Sequence, residues 1–419
     1  MTRRITRRAD WLVSMTGTLL ALTAGPIALA GPAQVTGSLE TIHGVRVLKL
    51  WGTAEQRGYA HGYLLGAEIM EVFEGVILSP NVIEDPRGYE TEIRAKFLRK
   101  MRFSPEQRAE LEGMLRGVVD AVGVEGTRLD QVNRNLDVRD LMAGNSFADW
   151  ARFGCSSFSA WGEATAEGGT ITARNLDFLV LGPLETLHVL IAHLEPGGGK
   201  QRWVTLAWPS LIGAYTAMNE QGATISMHYG PGREPTHTGA FVPSSLALRE
   251  AIQTAGGATA VPDVRRILVS QPSMFGFNMH VSSPLSGQPD PAAVFEYDGD
   301  LSKDGGVTPR FSTAAPLKDW IACTNHYCRR GKPPTDLQDD SLARYTAIEK
   351  ALTKARQQHR KIDVPFAWQV MDSVGSEKTL HSVVFLPNHK ELHVKLARPG
   401  VPAMAARPVR FELGELLRR

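Results

Sequence analysis

The chain has almost no excess of charge of either sign. Lysine plus arginine number 46 and aspartate plus glutamate 44, so the formal net charge is +2. No long basic run occurs outside the extreme N-terminus, and we therefore expect no nucleic-acid partner. Internal repeats, low-complexity tracts and long linkers are also missing, while 43% of the residues are hydrophobic. This composition excludes a disordered or fibrous protein and suffices for one large core or two smaller ones.

Cysteine is scarce, with only three residues in the chain. Cys323 and Cys328 lie close together in IACTNHYCRR, whereas Cys155 is far from both. In an oxidising compartment two of three cysteines are expected to pair, which leaves one thiol over. A Cys323–Cys328 disulfide could form only if the intervening chain turns, because an extended segment holds the two Cα atoms too far apart. In that pairing the free thiol is Cys155.

The N-terminus has the layout of a secretory signal. Four arginines precede an apolar stretch that is broken by Gly25 and Pro26, and an A-x-A cleavage sequence ends at Ala30. A retained membrane anchor is the alternative, but the Gly-Pro pair shortens the apolar stretch. We expect residues 1–30 to be removed and the mature protein to be periplasmic or secreted. The paired arginines leave a twin-arginine export route open beside the general one.

Helical and strand patterns alternate along the remaining chain. Residues 51–150 have a helical pattern, and Ser104 to Gln107 predicts a capped helix start. After Cys155 a hairpin is predicted around Gly168-Gly169, followed by an antiparallel meander to Gly230. Later helices are predicted near 244–254, 262–269, 339–352 and 364–373, and later strands at 277–282, 292–297, 321–325, 379–387 and 391–397. This order predicts an α+β protein of stacked antiparallel sheets covered by helices.

Cys155 directly follows Gly154 at the start of the first predicted strand after the helical region. A glycine carbonyl can be approached closely, and its backbone tolerates unusual angles. A thiol one residue downstream could attack that carbonyl, shift the acyl group from nitrogen to sulfur, and let water finish the cut. The new chain would begin at Cys155, whose α-amine, with a usual pKa of about 7.7–8.0, could act as general base for its own thiol.

Arg174 and Asp177 end the strand that is predicted to pair back on the Cys155 strand. A guanidinium beside the sulfur favours thiolate, and a carboxylate could hold the new ammonium group. A surface ion pair is the alternative. Asn325 could donate a hydrogen bond to an oxyanion, or simply form a turn. Arg344, near the start of a predicted helix, reads by itself as a solvated helix residue.

Histidine is the usual general base, so His228, His326 and His381 are rival candidates for activating Cys155. Each lies in or near a predicted strand, where histidine is more often structural.

Six motifs, GCSSF, ARNLD, MNEQG, TNHY, SLARY and LHSVVFLP, occur in this order. Together they resemble the N-terminal nucleophile hydrolases of the isopenicillin-N acyltransferase branch, which is related to the cholylglycine hydrolases and acid ceramidase. The resemblance extends from about residue 45 to about residue 397 and includes GTAEQRGYAHGYLLG in the helical region.

The resemblance implies an αββα sandwich, self-cleavage between Gly154 and Cys155, and hydrolysis or transfer at a non-peptide amide bond without metal or organic cofactor. It implies a small chain of residues 31–154 that stays associated with a catalytic chain of residues 155–419. Cys155 would be nucleophile and α-amine base. Arg174 and Asp177 would organise that amine and thiol, Asn325 would form the oxyanion hole, and Arg344 would support the site.

One position departs from the pattern. Cholylglycine hydrolases carry a second oxyanion asparagine on the strand after the MNEQG turn, where this chain reads ISMHYG with His228 as a candidate oxyanion or substrate contact. Four apolar residues near the motifs suggest a pocket for an apolar acyl group, or alternatively part of the core: Phe153, Phe178, Leu179 and Trp208. The substrate expected is a small N-acyl amide, with water or an amine as acceptor, and the sequence sets neither its identity nor the oligomeric state.

Two other classes of function stay open. Cys323, His326 and Cys328 could hold a metal ion, although they lack the usual paired spacing. The chain could also be a non-catalytic binding protein on the same fold.

Overall fold

Two sheets form the centre of the fold. The computed structural model describes residues 34–312, 319–331 and 338–419, so the predicted signal segment, residues 1–30, lies outside the described residues. The strands are β1 Gly37–Ile42, β2 Val45–Leu50, β3 Arg128–Leu129, β4 Arg134–Asn135, β5 Gly154–Ala160, β6 Ile171–Asp177, β7 Val189–His193, β8 Trp203–Ala207, β9 Thr216–Asn219, β10 Thr224–Tyr229, β11 Phe277–Ser282, β12 Ala292–Tyr297, β13 Val307–Arg310, β14 Trp320–Cys323, β15 Thr379–Leu386, β16 Glu391–Leu396 and β17 Val409–Glu412.

Helices precede, interrupt and follow the runs of strands along the chain. They are α1 Ala54–Leu64, α2 Gly66–Val72, α3 Pro86–Gly88, α4 Pro105–Gly126, α5 Val138–Asn145, α6 Phe147–Trp150, α7 Gly182–Thr186, α8 Ser244–Thr254, α9 Ala260–Ser270, α10 Gln338–Gln357, α11 Val364–Ser373 and α12 Leu413–Leu416. Wider π-helical turns occupy Phe73–Ile77 and Tyr89–Phe97. Among the described residues, no helix is both long and apolar enough to cross a bilayer.

The larger sheet has nine strands in the order β1-β2-β7-β8-β9-β10-β11-β12-β13, and the smaller has six in the order β14-β5-β6-β15-β16-β17. Neighbouring strands are antiparallel except β2 and β7, which are parallel. The meander predicted after the first hairpin is therefore the run from β7 to β10, which β11, β12 and β13 continue. The hairpin itself, β5 and β6, lies in the smaller sheet.

The two sheets stack face to face with helices outside them. Val47 and Leu190 of the larger sheet pack in one apolar cluster with Val383 and Val394 of the smaller. Helices α8 and α9 cover the outer face of the larger sheet, and α10 and α11 that of the smaller. The αββα sandwich expected from the resemblance is confirmed.

Several predicted elements have the predicted bounds, among them α8, α11, β11 and β12. Helix α4 begins with the predicted capping box, because Ser104 Oγ accepts from the Gln107 amide and the Gln107 side chain accepts from the Ser104 amide.

Two features differ from the sequence-based prediction. The region predicted to be helical, residues 51–150, also contains the short paired strands β3 and β4, and the unpredicted strands β1 and β2 precede it. Strand β2 finds its partner, β7, far along the chain. The β5–β6 hairpin does not turn in two residues at Gly168-Gly169. Its connection spans residues 161–170, because Thr165 bridges to Ile362 and its hydroxyl bonds the carbonyls of Gly162 and Gly169, which holds a broader loop.

Candidate active site

Cys155 is the second residue of β5 and its side chain is fully buried between the sheets. Its amide nitrogen donates to Asn325 Oδ1 at 2.7 Å, and its sulfur lies 3.4 Å from Arg174 Nη2 and 3.5 Å from the Met227 carbonyl oxygen. Burial raises the pKa of the Cys155 thiol, while the positive charge of Arg174 acts in the opposite direction. The thiol is therefore held beside a cation but sealed from solvent.

Arg174 reaches the sulfur from the neighbouring strand. It sits on β6 opposite Ser157 and is itself fully buried. Its guanidinium donates to the carbonyl oxygens of Tyr215 and Met227 and to the Thr216 hydroxyl. These acceptors on the larger sheet fix the guanidinium in place, so the hairpin and the opposite sheet together set the distance between Arg174 and Cys155.

Asp177 ends β6 directly opposite Gly154. A side chain at Gly154 would bring its Cβ within 3.2 Å of the Asp177 Cβ, a tight contact that glycine avoids. Burial raises the pKa of Asp177 to about 6, while a hydrogen bond of 2.6 Å from the Thr379 hydroxyl lowers it. A carboxyl group that can hold or release a proton near neutral pH thus faces the Gly154–Cys155 peptide bond.

Asn325 lies in the turn after β14 and is nearly buried. Its Oδ1 accepts from the Cys155 amide, and its Nδ2 donates to the carbonyl oxygens of Phe153 at 3.0 Å and Tyr229 at 2.9 Å. The amide group therefore already binds a main-chain carbonyl next to the Gly154–Cys155 bond.

Arg344 turns inward from α10, not outward into solvent as its position in the sequence suggests by itself. Its Nη1 donates to the Cys155 carbonyl oxygen and the Ser156 hydroxyl, each at 2.6 Å, and its Nη2 donates to Asn325 Oδ1 at 3.0 Å. Asp340, one helical turn earlier, accepts from its Nε at 2.9 Å. The arginine thus ties the nucleophile strand to the Asn325 turn.

The three rival histidines are each engaged elsewhere. His228 Nε2 lies 2.8 Å from the Ser157 hydroxyl, His381 Nε2 lies 3.1 Å from the Thr216 hydroxyl, and His326 Nδ1 lies 2.9 Å from the Ser341 hydroxyl. Burial lowers the pKa of all three, to about 4 for His326. Within the described residues none of them hydrogen-bonds Cys155, and the oxyanion or substrate contact of His228 stays a prediction.

The cysteines near Asn325 form neither a disulfide nor a metal site. All three cysteines are free, so the disulfide left open by the sequence is absent. Cys323 is buried at the end of β14, with its sulfur toward the Thr324 carbonyl, whereas Cys328 is exposed. In the part of the chain that the structure describes, no three His, Cys, Asp or Glu side chains are placed to hold a metal ion. The alternative at Cys323, His326 and Cys328 is therefore wrong.

Ser341 and Thr379 are contacts of the site that the sequence analysis missed. Ser341 Oγ accepts from the Asn325 amide nitrogen at 2.9 Å, and Thr379 binds Asp177. Ser341 opens the SLARY motif, which is the signal that could have found it. Thr379 directly precedes LHSVVFLP but carries no comparable signal.

Space around the site divides into a polar and an apolar part. A cleft of about 720 Å³ has Gly154, Asp177 and Arg344 in its wall and is rimmed by charged residues. Phe178 also lines this cleft and packs against Phe153, with ring centroids 4.6 Å apart, while Phe153 in turn packs against Tyr215. Of the apolar residues singled out from the sequence, Phe153, Phe178 and Trp208 are buried and Leu179 is exposed.

Residues 164–400 match the family described as acyl-coenzyme A:6-aminopenicillanic acid acyl-transferase. The chain belongs to this family. This membership confirms the family resemblance that the ordered sequence motifs indicate.

Two curated proteins that are similar to this chain come from Dictyostelium discoideum. Protein dcd1B is 28% identical over 231 residues, which cover 50% of this chain and 43% of that protein. Protein dcd1A is 26% identical over 238 residues, which cover 50% of each. The chain thus spans about half the length of the curated relatives it matches.

Solved structures resemble the chain more distantly. An N-acylethanolamine-hydrolyzing acid amidase ortholog from Caenorhabditis elegans has a TM-score of 0.40 at 15% identity and covers 56% of this chain and 93% of its own. A mutant conjugated bile acid hydrolase from Clostridium perfringens has a TM-score of 0.41 at 9% identity, with 63% and 94% covered. Penicillin V acylase from Agrobacterium tumefaciens has a TM-score of 0.40 at 13% identity, with 62% and 87% covered.

Proposed function

We propose that the protein is an exported cysteine hydrolase or acyltransferase that activates itself by cleavage and then acts on a small N-acyl amide through a thioester on Cys155. One observation carries the proposal. The Cys155 thiol, beside Arg174, directly follows a glycine that faces Asp177, and the Cys155 amide nitrogen is held by Asn325. These are the groups that self-cleavage and amide chemistry need at one place.

In the proposed activation, Cys155 Sγ attacks the carbonyl carbon of Gly154. The bond from that carbon to the Cys155 nitrogen breaks, the nitrogen gains one proton in exchange for the one that the thiol gives up, and a thioester joins Gly154 to the sulfur. Water then hydrolyses the thioester to a Gly154 carboxylate and a free thiol. The Asp177 carboxyl, whose pKa burial raises to about 6, faces Gly154 and is suited to protonate the departing nitrogen.

In the proposed mature enzyme, the α-amine of Cys155 takes the proton from its own thiol, and the sulfur attacks the substrate carbonyl carbon. Asn325 Nδ2, which binds the Phe153 carbonyl in the uncut chain, becomes free to donate to the oxyanion. The α-ammonium group returns its proton to the leaving amine, and the acyl group remains on sulfur. Water or an amine then accepts the acyl group from the thioester.

The substrate is proposed to place an apolar acyl group near the buried aromatic rings. Phe153, Phe178 and Tyr215 form that surface, and Trp208 lines the same small cavity as Phe153. The charged cleft that contains Asp177 and Arg344 is the proposed exit for the leaving amine. No metal or organic cofactor takes part in these steps, so dialysis against a chelator is expected to leave activity intact.

The two fragments are proposed to stay associated after the cut. Strand β2 of the small fragment pairs with β7 of the large one, and Leu48 and Leu111 share an apolar cluster with Ile191 and Leu248. Export is proposed on the N-terminal sequence alone and would leave a small chain that begins at Gly31.

Denaturing gel electrophoresis under reducing conditions tests the proposal. The purified protein should give fragments of roughly residues 31–154 and 155–419, with Cys155 at the start of the larger one by mass analysis. Cys155→Ala should stay a single, inactive chain, and Cys155→Ser should cleave slowly, because a hydroxyl makes the same shift less readily. An intact, fully active wild-type chain would overturn self-cleavage.

Activity is tested on penicillin V, N-decanoyl glycine and N-decanoyl homoserine lactone, which present aryl and aliphatic acyl groups. At least one is expected to be cleaved by the wild type and none by Cys155→Ala. A chain that cleaves itself but turns over no amide in this panel would contradict the proposed substrate class. A chain that does neither would favour a non-catalytic binding protein on the same fold.

A further inference from the structure

Two larger-sheet side chains hold the segment around Asn325: Glu296 on β12 accepts from the amides of residues 328–330, and Asn278 on β11 binds the residues that flank Asn325 itself. Asn278 is fully buried, and its Nδ2 donates to the Thr324 carbonyl oxygen at 3.0 Å and to the His326 carbonyl oxygen at 2.9 Å. These are the carbonyls immediately before and after Asn325. Both hydrogens of a single amide nitrogen therefore fix the two residues that flank the oxyanion candidate.

Helix α10 holds the same turn from the other side. Ser341 Oγ accepts from the Asn325 amide nitrogen at 2.9 Å, and the Thr324 hydroxyl donates to the Ser341 carbonyl oxygen at 3.0 Å. With the turn fixed on both sides, the Asn325 side chain reaches the Cys155 amide and the Phe153 carbonyl.

The orientation of the Asn278 amide is set by its partners. An oxygen in place of Nδ2 would face two carbonyl oxygens, so the nitrogen must occupy that position. The other end, Oδ1, is buried without a hydrogen-bond partner among the described residues. Burying an unpaired carbonyl costs free energy, so general stabilisation does not account for an asparagine here.

We propose that Asn278 is a positioning residue, which acts on the reaction by holding the Asn325 turn; the inference rests on the proposed function of Asn325. An oxyanion donor must lie within about 0.5 Å of its working position. A displacement of about 1 Å can lower the rate about 10²-fold. Loss of the two bonds from Asn278 leaves both carbonyls that flank Asn325 without this partner and is expected to move the Asn325 amide by such distances.

The chain offers a matched control in Asn219 at the end of β9. Asn219 is also fully buried, and its Nδ2 also donates to two main-chain carbonyls, those of Ile252 at 2.9 Å and Ala255 at 2.8 Å. Its Oδ1 accepts two further main-chain bonds. Asn219→Ala therefore removes at least as many hydrogen bonds as Asn278→Ala, but away from the Asn325 turn.

The experiment compares kcat and KM of wild type, Asn278→Ala, Asn278→Asp and Asn219→Ala on the fastest substrate among penicillin V, N-decanoyl glycine and N-decanoyl homoserine lactone. All are assayed at a temperature where circular dichroism shows them folded. Asn278→Ala should lower kcat about 10- to 100-fold with KM within threefold of wild type. Asn278→Asp should lose at least as much, because a carboxylate faces two carbonyls. Asn219→Ala should keep kcat within twofold.

A second readout does not need catalysis. Amide hydrogen exchange across residues 324–328, followed by mass spectrometry, should be at least tenfold faster in Asn278→Ala than in wild type and unchanged in Asn219→Ala. If exchange is faster in Asn278→Ala but the wild type has no amidase activity, the result would support the holding of the Asn325 turn by Asn278 and contradict the proposed function. Equal kcat and equal exchange in Asn278→Ala and Asn219→Ala would overturn the inference even if the wild type is an active amidase. If Asn278→Ala does not fold, Asn278→Ser, which retains one donor, takes its place with the same expected direction and the same overturning result.

Discussion

The space between the two sheets has a polar half and an apolar half. The polar half lies between β5, β6, β10 and β11 and consists of Ser157, Ser159, Thr172, Thr224, His228, His280 and Ser282. The apolar half lies between β2, β7, β8, β15, β16 and β17 and consists of Val45, Val47, Leu190, Leu206, Val383, Phe385, Val394 and Phe411. The same two sheets are thus joined by hydrogen bonds at one end and by close-packed hydrocarbon at the other.

The two halves have different roles: hydrogen bonds set the positions of side chains, whereas apolar packing supplies stability. Hydrogen bonds need particular partners in particular directions, so the polar half sets the relative position of its strands closely. Apolar contacts depend on volume and area, and they tolerate small shifts. Cys155 lies on the same face of β5 as Ser157, beside the polar half. We infer that the polar half positions the reacting groups, while the apolar half contributes more of the free energy of unfolding.

Acid should destabilise the fold through its buried histidines, of which His228 and His280 lie in the polar half, and this is the largest effect that we expect. His61, His188 and His280 are buried, and burial lowers their pKa from 6.5 to about 3. The unfolded chain takes up these protons near pH 6.5 but the native chain does not. The stability they contribute is therefore fully present above pH 6.5 and is lost as the pH falls toward 3. At pH 5 each of the three imidazoles lowers the free energy of unfolding by about 2 kcal/mol.

Two buried carboxyl groups raise the free energy of unfolding as the pH falls, in the direction opposite to the histidines. Burial raises the pKa of Asp149 to about 7 and of Asp177 to about 6, so the native chain binds more protons than the unfolded one down to about pH 4. These two carboxyl groups offset only part of the stability that is lost in acid. Burial also lowers the pKa of His193, His228 and His381, so these histidines add to the loss.

Urea denaturation of the single-chain Cys155→Ala protein between pH 7 and pH 5 measures the net change. His280→Gln should flatten the pH dependence by about one proton's contribution, about 2 kcal/mol at pH 5. Equal stability at pH 7 and pH 5 would contradict the assignment of neutral, buried imidazoles.

Phe385→Ala tests the apolar half. Phe385 is almost fully buried between the sheets, so its truncation leaves a cavity and should lower the free energy of unfolding by about 3–5 kcal/mol. The folded fraction should keep the wild-type kcat, because no hydrogen-bonded partner of Cys155 or Asn325 moves. Urea denaturation and active-site titration measure the two quantities. A tenfold fall in kcat per folded molecule would mean that the two halves are not separable.

Asn325→Ala tests the role of the Asn325 side-chain amide as the oxyanion donor. Removing an oxyanion donor typically costs about 10²–10³ in kcat, and KM should change little because the bond acts mainly on the transition state. Asn325→Asp is the matched variant, since it retains an oxygen for the Cys155 amide and Arg344 but loses the Nδ2 donor. Both variants should be impaired while remaining folded. An unchanged kcat would remove Asn325 from the site.

The sequence predicted elements well where local signals and pairing distance agree. Helices α8 and α11 and strands β11 and β12 have clear periodicity and neighbours close in the chain. Strand β13 contains Pro309, which cannot donate to a ladder, and it lies at the edge of its sheet, so its pattern was missed.

The site was predictable in part for the same reason. Arg174 and Asp177 face the Cys155 strand through a hairpin, and pairing of adjacent strands is readable from sequence. Asn278 and Ser341 reach Asn325 only because separate strands and helix α10 converge, and no local pattern encodes that convergence.

Ser157→Ala is the smallest of the expected effects and tests a single atom of the polar half. The Ser157 hydroxyl lies 2.8 Å from His228 Nε2 and 2.7 Å from His280 Nδ1. The substitution would therefore remove a hydrogen-bond partner from one nitrogen of each of two buried imidazole rings. An unsatisfied buried polar group costs about 1–3 kcal/mol, and we expect a loss in that range.

Ser382→Ala is the control for this loss. Ser382 is equally buried on β15, but its hydroxyl has no hydrogen-bond partner within the described chain, so its removal should change the free energy of unfolding by less than about 0.5 kcal/mol or raise it. Both substitutions delete one buried oxygen from the smaller sheet, and urea denaturation of each in the Cys155→Ala chain isolates the value of the two bonds. If the two variants lose equal stability, the hydroxyl of Ser157 acts only as volume, and the polar half would then hold its strands by packing, as the apolar half does.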